Sequence, residues 1–340
     1  MELKILELFS GIGGMHYAFE YSQLEGKVCA AMDINTVANV VYAYNHPQTP
    51  VMNNNIQKLS VKTIEKLQIN AILMSPPCQP HTRVGQKRDI EDNRSDALNH
   101  ICELLPMCQS VQYILMENVK GFEESMARTK YVEALEKSGF YYREFILTPT
   151  IMGVPNTRHR YYCIARKEND FSFPGGSILT SLPVEDTQSK FQTKSLSSLL
   201  EEAIPKELHL DEKVLRKRVW LMDIVTRDAT NTMCFTKAYT HYCEGTGSVF
   251  CPLSLNEMQN TFAKLKAMDD AKSCEKPEYW DLLQKLNLRY FTPREVSRLM
   301  CFPDTFQFPS GTTNRQKYRL LGNSINVQVV GELIKLMCKI

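Results

Sequence analysis

Short apolar runs alternate with stretches of helical period through the first half of the chain. Leu3-Lys4-Ile5-Leu6-Glu7-Leu8 alternates and is rich in strand formers, predicting a strand that ends at Phe9-Ser10-Gly11-Ile12-Gly13-Gly14. A helical pattern through Ala18 and Tyr21 follows, and Val28 to Met32 predicts the second strand. Asn35 is placed to cap a helix through Val37, Val40, Val41 and Tyr44, which His46-Pro47 ends. Asn53-Asn54-Asn55-Ile56-Gln57 marks the end of a third strand, and Ser60 starts a helix to Leu67. A fourth strand, Ala71 to Met74, is stopped by Ser75-Pro76-Pro77, because proline neither donates to a ladder nor lets the preceding residue turn helical. Helix Ala97 to Met107, strand Tyr113 to Met116, helix Ser125 to Ser138 and strands Tyr141 to Leu147 and Tyr161 to Ala165 complete the run. Strands and helices in turn predict an α/β fold: a mixed, mostly parallel, Rossmann-like sheet with helices on both faces.

From Phe171 the pattern decays. Phe173-Pro174-Gly175-Gly176-Ser177 and the Ser/Thr-rich run to Ser198 read as a linker. Beyond it, residues from about Leu199 to about Leu286 read as a small inserted domain, so the division runs 1–180, 181–286 with linkers, and 287–340. Order returns where Thr292 caps a helix with Pro293 in its first turn, and Arg315 to Val327 opens a C-terminal helix reaching Cys338.

Composition narrows the class. With 340 residues and 43% apolar content the chain folds around a large core and is not generally disordered. A net charge of +2 means that any nucleic-acid contact comes from local basic patches. Eleven cysteines without CxxC spacing or a preceding signal peptide fit reduced thiols, a cytoplasmic location and access to the nucleus. The apolar runs are too short to span a bilayer, so no membrane partner is expected, and no metal site is visible.

The candidate chemistry gathers at strand ends. Glycines after the first strand let a ligand approach the backbone, and Asp33 closes the second strand some 20 residues on, where a carboxylate accepts from ribose hydroxyls. A glycine turn alone is equally a tight connection, and a dinucleotide site needs a fuller G-x-G-x-x-G. Cys78 sits on the stiff Pro76-Pro77-Cys78-Gln79 loop at the carboxyl end of the fourth strand, as a nucleophile would. Glu117, at the end of the next apolar run, is an acid within reach of such a site. Arg158 and Arg160 alternate on an extended segment and so share a face. The charged run from His81 to Arg94, with Arg83, is either a solvated loop or a lid, and Lys213, Arg216, Lys217 and Arg218 are either a solvated face or a phosphate track.

In order, Phe9 to Gly14, Asp33, Pro76-Pro77-Cys78-Gln79, Glu117-Asn118-Val119, Arg158-His159-Arg160 and Gly322-Asn323-Ser324 resemble the motifs of the cytosine-C5 methyltransferases. Within them, Cys234-Phe235-Thr236-Lys237 with Tyr239, and the short insertion, resemble the eukaryotic subfamily that methylates the anticodon loop of aspartate tRNA. The resemblance implies the S-adenosylmethionine-dependent methyltransferase fold with an inserted target-recognition domain. It implies cofactor S-adenosyl-L-methionine and product S-adenosyl-L-homocysteine, held by Phe9, Gly11, Ile12, Gly13, Gly14, Asp33, Ile56, Gln57, Ser75, Asn323 and Ser324. Cys78 would add to cytosine C6, Glu117 would engage N4 and N3, and one of Arg158 and Arg160 would meet O2 while the other serves structure. Gln79, Arg83, Asn118, Lys120, Thr236, Lys237, Tyr239 and Arg289 would contact substrate. A monomer acting on tRNA, foremost aspartate tRNA at cytosine 38, with DNA as a weak partner, is the expectation. Two departures stand out: His81 replaces the family's phenylalanine, and Asn55 replaces an aspartate that meets the adenine amine. A DNA cytosine-C5 methyltransferase has the same catalytic residues. A silent RNA-binding regulator would have lost Cys78, Glu117 or the glycine turn.

Overall fold

The computed structural model describes residues 2–77, 96–183, 191–242, 244–268 and 276–339. Seven strands make the central sheet: β1 (Leu3–Leu8), β2 (Gly26–Met32), β3 (Val51–Met52), β4 (Ala71–Met74), β5 (Tyr113–Val119), β6 (Tyr141–Leu147) and β7 (Arg160–Arg166). Their spatial order is β3-β2-β1-β4-β5-β7-β6. All run parallel except β7, which lies antiparallel between β5 and β6. The mostly parallel sheet expected from the strand–helix alternation is therefore present.

Five helices follow the early strands: α1 (Gly14–Ser22), α2 (Thr36–Asn45), α3 (Val61–Lys66), α4 (Asp96–Leu104) and α5 (Met126–Lys137). Alternate residues of one strand feed opposite faces of the sheet. Ala71 and Leu73 join a cluster with Met15, Ala18 and Leu333, whereas Ile72 and Met74 join one with Leu98, Ile101, Tyr131 and Leu135. Both faces of β4 are buried, which is why it reads as an unbroken apolar run. The caps read from sequence hold: Asn35 accepts from the N–H groups of Val37 and Ala38, and Ser60 and Ser125 cap α3 and α5.

The inserted stretch carries α6 (Glu212–Arg218), α7 (Leu255–Ala267) and α8 (Pro277–Lys285). With β8 (Ile224–Val225), β9 (Val249–Phe250) and β10 (Arg289–Tyr290) they enclose a third apolar cluster that includes Leu215, Leu265, Tyr279 and Leu283. The chain returns through α9 (Pro293–Leu299), where Thr292 and Glu295 form a capping box, α10 (Asn314–Gly322) and α11 (Val327–Cys338). Gly331 lets α11 lie close on α1, since a β-carbon there would sit 2.3 Å from the ring of Tyr21.

Some boundaries differ from the sequence reading. β3 ends at Met52, and Asn55 instead caps a short turn, Ile56–Lys58, by accepting from the Gln57 N–H. β5 carries the Glu117-Asn118-Val119 end expected of it, because Glu117 and Asn118 still pair with Tyr162 and Tyr161 of β7. The C-terminal helix is two helices, since the Asn326 side chain accepts from the Val329 N–H and so starts α11 afresh. Among the described residues all eight cysteines are free thiols, and no helix is long and apolar enough to cross a membrane.

Candidate active site

The order of the sheet reverses between β1 and β4, and a cavity of about 360 Å³ opens at the carboxyl ends of the strands beside that point. Crevices of this kind bind ligands in open α/β sheets because strand order parts the flanking loops. Phe9, Ser10, Gly11, Ile12 and Gly14 line it from the turn after β1, Asp33 and Ile34 from β2, Ser75, Pro76 and Pro77 from β4, and Glu117 and Val119 from β5. Phe9, Gly11 and Gly13 all have positive φ, at 54°, 52° and 84°. Phe9 adopts this region at a cost that glycine does not bear, as residues at ligand sites often do. The Asp33 carboxylate braces the turn, accepting from the N–H of Gly11 and of Asn35 at 2.8 Å each. Each oxygen keeps a lone pair for a further donor.

The opposite wall holds Glu117, Arg158, Arg160, Lys237, Gly322, Asn323 and Ser324. Glu117 is 7% exposed, and burial raises its carboxyl above the ordinary value, against the opposing pull of Arg160 and then Arg158. Arg160 Nε lies 3.3 Å from Glu117 Oε1. Arg158, by contrast, is a buried clamp. Its guanidinium donates to the carbonyls of Phe235 at 3.2 Å and Gly322 at 3.1 Å, to that of Ser324, and to Cys234 Sγ at 3.4 Å. These carbonyls come from two distant segments, so Arg158 joins the inserted stretch to the turn after α10. Gly322 is needed at that joint: a β-carbon would lie 2.2 Å from the Lys237 nitrogen.

Cys234, to which the sequence gives no role, lies behind this wall against the Arg158 and Arg160 guanidiniums. Burial alone raises its thiol, but the guanidiniums of Arg158 and Arg160 more than offset this and hold it below the usual range. Two positive groups thus face two groups that can carry negative charge, Glu117 and Cys234. The only signal in the sequence was the position of Cys234 ahead of Phe235-Thr236-Lys237.

Of the residues expected at the cofactor, Phe9, Gly11, Ile12, Gly14, Asp33, Ser75, Asn323 and Ser324 line the cavity. Gly13 faces away, with Tyr42 and His46 where its β-carbon would be. Ile56 is buried in the core and Gln57 is exposed, and neither lines the cavity. Met15, Asn35, Ala38, Leu320 and Ile325 line it without having been singled out. Cys78, Gln79 and Arg83 lie outside the described residues, as does His81.

Two expected substrate contacts are corrected. Arg289 is 5% exposed and forms a two-pronged ion pair with Glu295, at 2.8 Å on both sides, with its guanidinium 4.5 Å from the Phe250 ring centre. Tyr239 is 3% exposed; its hydroxyl donates to the Ser248 carbonyl and accepts from the Phe291 N–H. Each fails for the same reason: a polar group in the interior must be satisfied there. Asn118 is buried and accepts from the Val119 N–H, and Thr236 accepts from that of Ala238. Lys120 and Lys237 are exposed.

A glycine turn braced by a carboxylate, facing a buried acid and an arginine across a crevice in a 3-2-1-4-5-7-6 sheet, defines a methyltransferase of the doubly wound class. The family model for C-5 cytosine-specific DNA methylases matches residues 3–339, and the chain belongs to that family. It is 44% identical over 340 residues to the tRNA (cytosine(38)-C(5))-methyltransferase of Spodoptera frugiperda, covering 99% of both chains. It is 36% identical over 392 residues to the protein of the same name from Homo sapiens, covering 98% of this chain and 99% of the other. The solved structure of a Spodoptera frugiperda DNMT2 mutant superposes with a TM-score of 0.89 at 43% identity, covering 99% of each chain.

Proposed function

We propose that the chain methylates C5 of cytosine 38 in the anticodon loop of tRNA, with aspartate tRNA its foremost substrate and S-adenosyl-L-methionine its methyl donor. The observation that carries the reading is the buried Glu117, raised by its surroundings and held by Arg160 in the wall facing the glycine turn. A carboxyl whose proton is held more tightly than usual can supply a proton to pyrimidine N3 when a nucleophile adds at C6. The names of the relatives support RNA over DNA as substrate.

The residues present fit the cofactor. Ser10 Oγ is buried without a hydrogen-bond partner and lines the cavity, and a β-carbon at Gly11 would meet nothing within 4 Å, so the turn is open toward a ligand. Asp33 would hold the ribose hydroxyls and Ile34 would pack on an apolar face. When bound, the cofactor supplies an electrophilic methyl group on a sulfonium. The chain's own residues prepare the cytosine. Cys78 forms a sulfur–carbon bond to C6 as its thiolate, the C5–C6 double bond shifts its electrons toward C5, and the Glu117 proton passes to N3. After alkylation N3 returns its proton to Glu117, a solvent base takes the C5 proton, and the electrons of that C–H bond restore the C5–C6 double bond as the C6–sulfur bond breaks and releases the thiolate. Arg160 steadies the carboxylate left behind. A loop cytosine reaches such a site more cheaply than a stacked one, by a few kcal/mol.

Methyl transfer to aspartate tRNA and to a cytosine-rich DNA duplex, compared at equal ionic strength, tests the substrate. Equal rates would make the chain a DNA enzyme. No transfer to either by a chain that binds the cofactor would favour the silent regulator.

A further inference from the structure

The turn that follows Lys237 carries two aromatic rings into water, and the chemistry at Glu117 uses neither. Tyr242 is 61% exposed, and His241 beside it is exposed as well. Their ring centres lie 4.6 Å apart with planes at 74°, so the pair is edge to face and a face of the phenol ring stays open. A single exposed aromatic is ordinary in itself.

This one is held in place by its backbone. The N–H groups of His241 and Tyr242 both donate to the Ala238 carbonyl, at 3.0 and 3.2 Å, and the Thr246 hydroxyl donates to the Tyr242 carbonyl at 2.7 Å. Tyr239 is buried and fixes the start of the turn through the Ser248 carbonyl. Gly247 closes the turn on that ring, since a β-carbon there would lie 2.7 Å from both Phe235 and Tyr239. Between buried Tyr239 and exposed His241, Thr240 takes a φ of 70°, a region that β-branched residues seldom enter. Strain of this kind persists where the surroundings impose it, and it gathers at ligand-binding segments.

Cations flank the rings on both sides. Lys237, on the same turn, lines the cavity. Glu244 pairs with Arg218 Nη1 at 3.3 Å, which ties the turn to the end of α6, where Lys213 and Lys217 are exposed one turn apart. Rings that stack on bases, set among cations that meet the backbone, are how proteins hold a single strand. Stacking needs an open base face, which an unpaired loop offers and a duplex does not.

We propose that Tyr242 is a stacking platform for one unpaired base of the RNA loop, other than the target cytosine, which the cavity at Glu117 takes. The inference rests on the RNA reading above and names a residue that makes the site select a loop. Continuity with the cavity through Lys237, and the cations on either side, favour a nucleic-acid occupant over a protein one.

The full-length chain and the anticodon stem-loop of aspartate tRNA test it. Tyr242→Ala should weaken binding of the stem-loop by about 5- to 150-fold, the loss falling on KM for RNA rather than on kcat. Tyr242→Phe should restore binding to within about twofold, and Tyr242→Leu, apolar but without a ring face, should not. Stem-loops with an abasic site at each loop position other than the target should show one position whose penalty is present in the parent and gone in Tyr242→Ala. Binding by Tyr242→Ala within about twofold of the parent overturns the inference, as does Leu serving as well as Phe, or the absence of any such position. A parent that methylates duplex DNA as fast as the stem-loop fails the RNA reading itself, whereas a parent that prefers RNA and is matched by Tyr242→Ala fails this inference alone.

Discussion

Replacing Arg289 with methionine separates a structural arginine from an RNA-binding one. Glu295 is 0% exposed, and its carboxylate is held by four donors: two from Arg289 and the N–H groups of Thr292 and Glu201. Methionine keeps an unbranched apolar stem but removes the guanidinium that lies over the Phe250 ring, and it leaves the carboxylate with two backbone donors. Removing one partner of a buried ion pair costs about 3–5 kcal/mol. With a urea slope of about 3 kcal/mol per molar or more for a chain of this size, the unfolding midpoint should fall by roughly 1–2 M. Adding Glu295→Gln to Arg289→Met should recover part of the loss, since no charge then stays buried alone. Below the transition, the folded Arg289→Met variant should bind tRNA with an unchanged salt slope, because that slope counts only cations that displace counterions. A variant as stable as the parent, with weaker and less salt-dependent tRNA binding, would refute this account and return Arg289 to the RNA surface.

Cys78→Ser should abolish turnover while cofactor affinity, read by calorimetry, stays the same. Asp33→Ala should lose about 1–3 kcal/mol of cofactor binding, roughly 5- to 150-fold, and an unchanged affinity would remove Asp33 from the site. Glu117→Gln should lower the rate by about 10²–10⁴ and erase the alkaline fall of the pH–rate profile, since the acid form acts and is lost as pH rises through its raised value. By the same sign, protonated Glu117 favours the fold most fully below the unfolded carboxyl pKa, and stability declines as pH climbs through the folded one. Urea titrations of Glu117→Gln should show a smaller decline. Lys120→Ala with Lys237→Ala should flatten the salt dependence of tRNA binding, a change that methylation of naked duplex DNA would not need.

The strand–helix order, the caps at Asn35, Ser60, Ser125 and Thr292, and the glycine turn with Asp33 were legible because each is local. Cap and turn chemistry is written within a few residues, and a strand buried on both faces is apolar throughout. What could not be read is set by long-range partners. Arg289 looks like any exposed cation until Glu295 folds beneath it, and Tyr239 like any loop aromatic until the Ser248 carbonyl and Phe291 N–H close on its hydroxyl. Arg158 and Arg160 share a strand face in sequence, yet one became a clamp and the other a carboxylate partner, because the first donates to Phe235, Gly322 and Ser324 while the second lies against Glu117.

The clamp at Arg158 bears on how substrate preference can change in this fold. Inserted segments invite exchange between relatives as cassettes, and here such a graft would carry a piece of the catalytic wall with it. Lys237 lines the cavity, Phe235 is an acceptor for Arg158, and Gly322 exists to let the backbone at 236–237 pass. A chimaera that replaces the insertion but not the turn after α10 would therefore misfit at a backbone-to-backbone contact. Its first symptom would be poor cofactor retention, with RNA choice untouched. New target preference in this lineage must arrive through paired changes at 234–237 and 322–324, or through loops of the insertion that never reach the cavity.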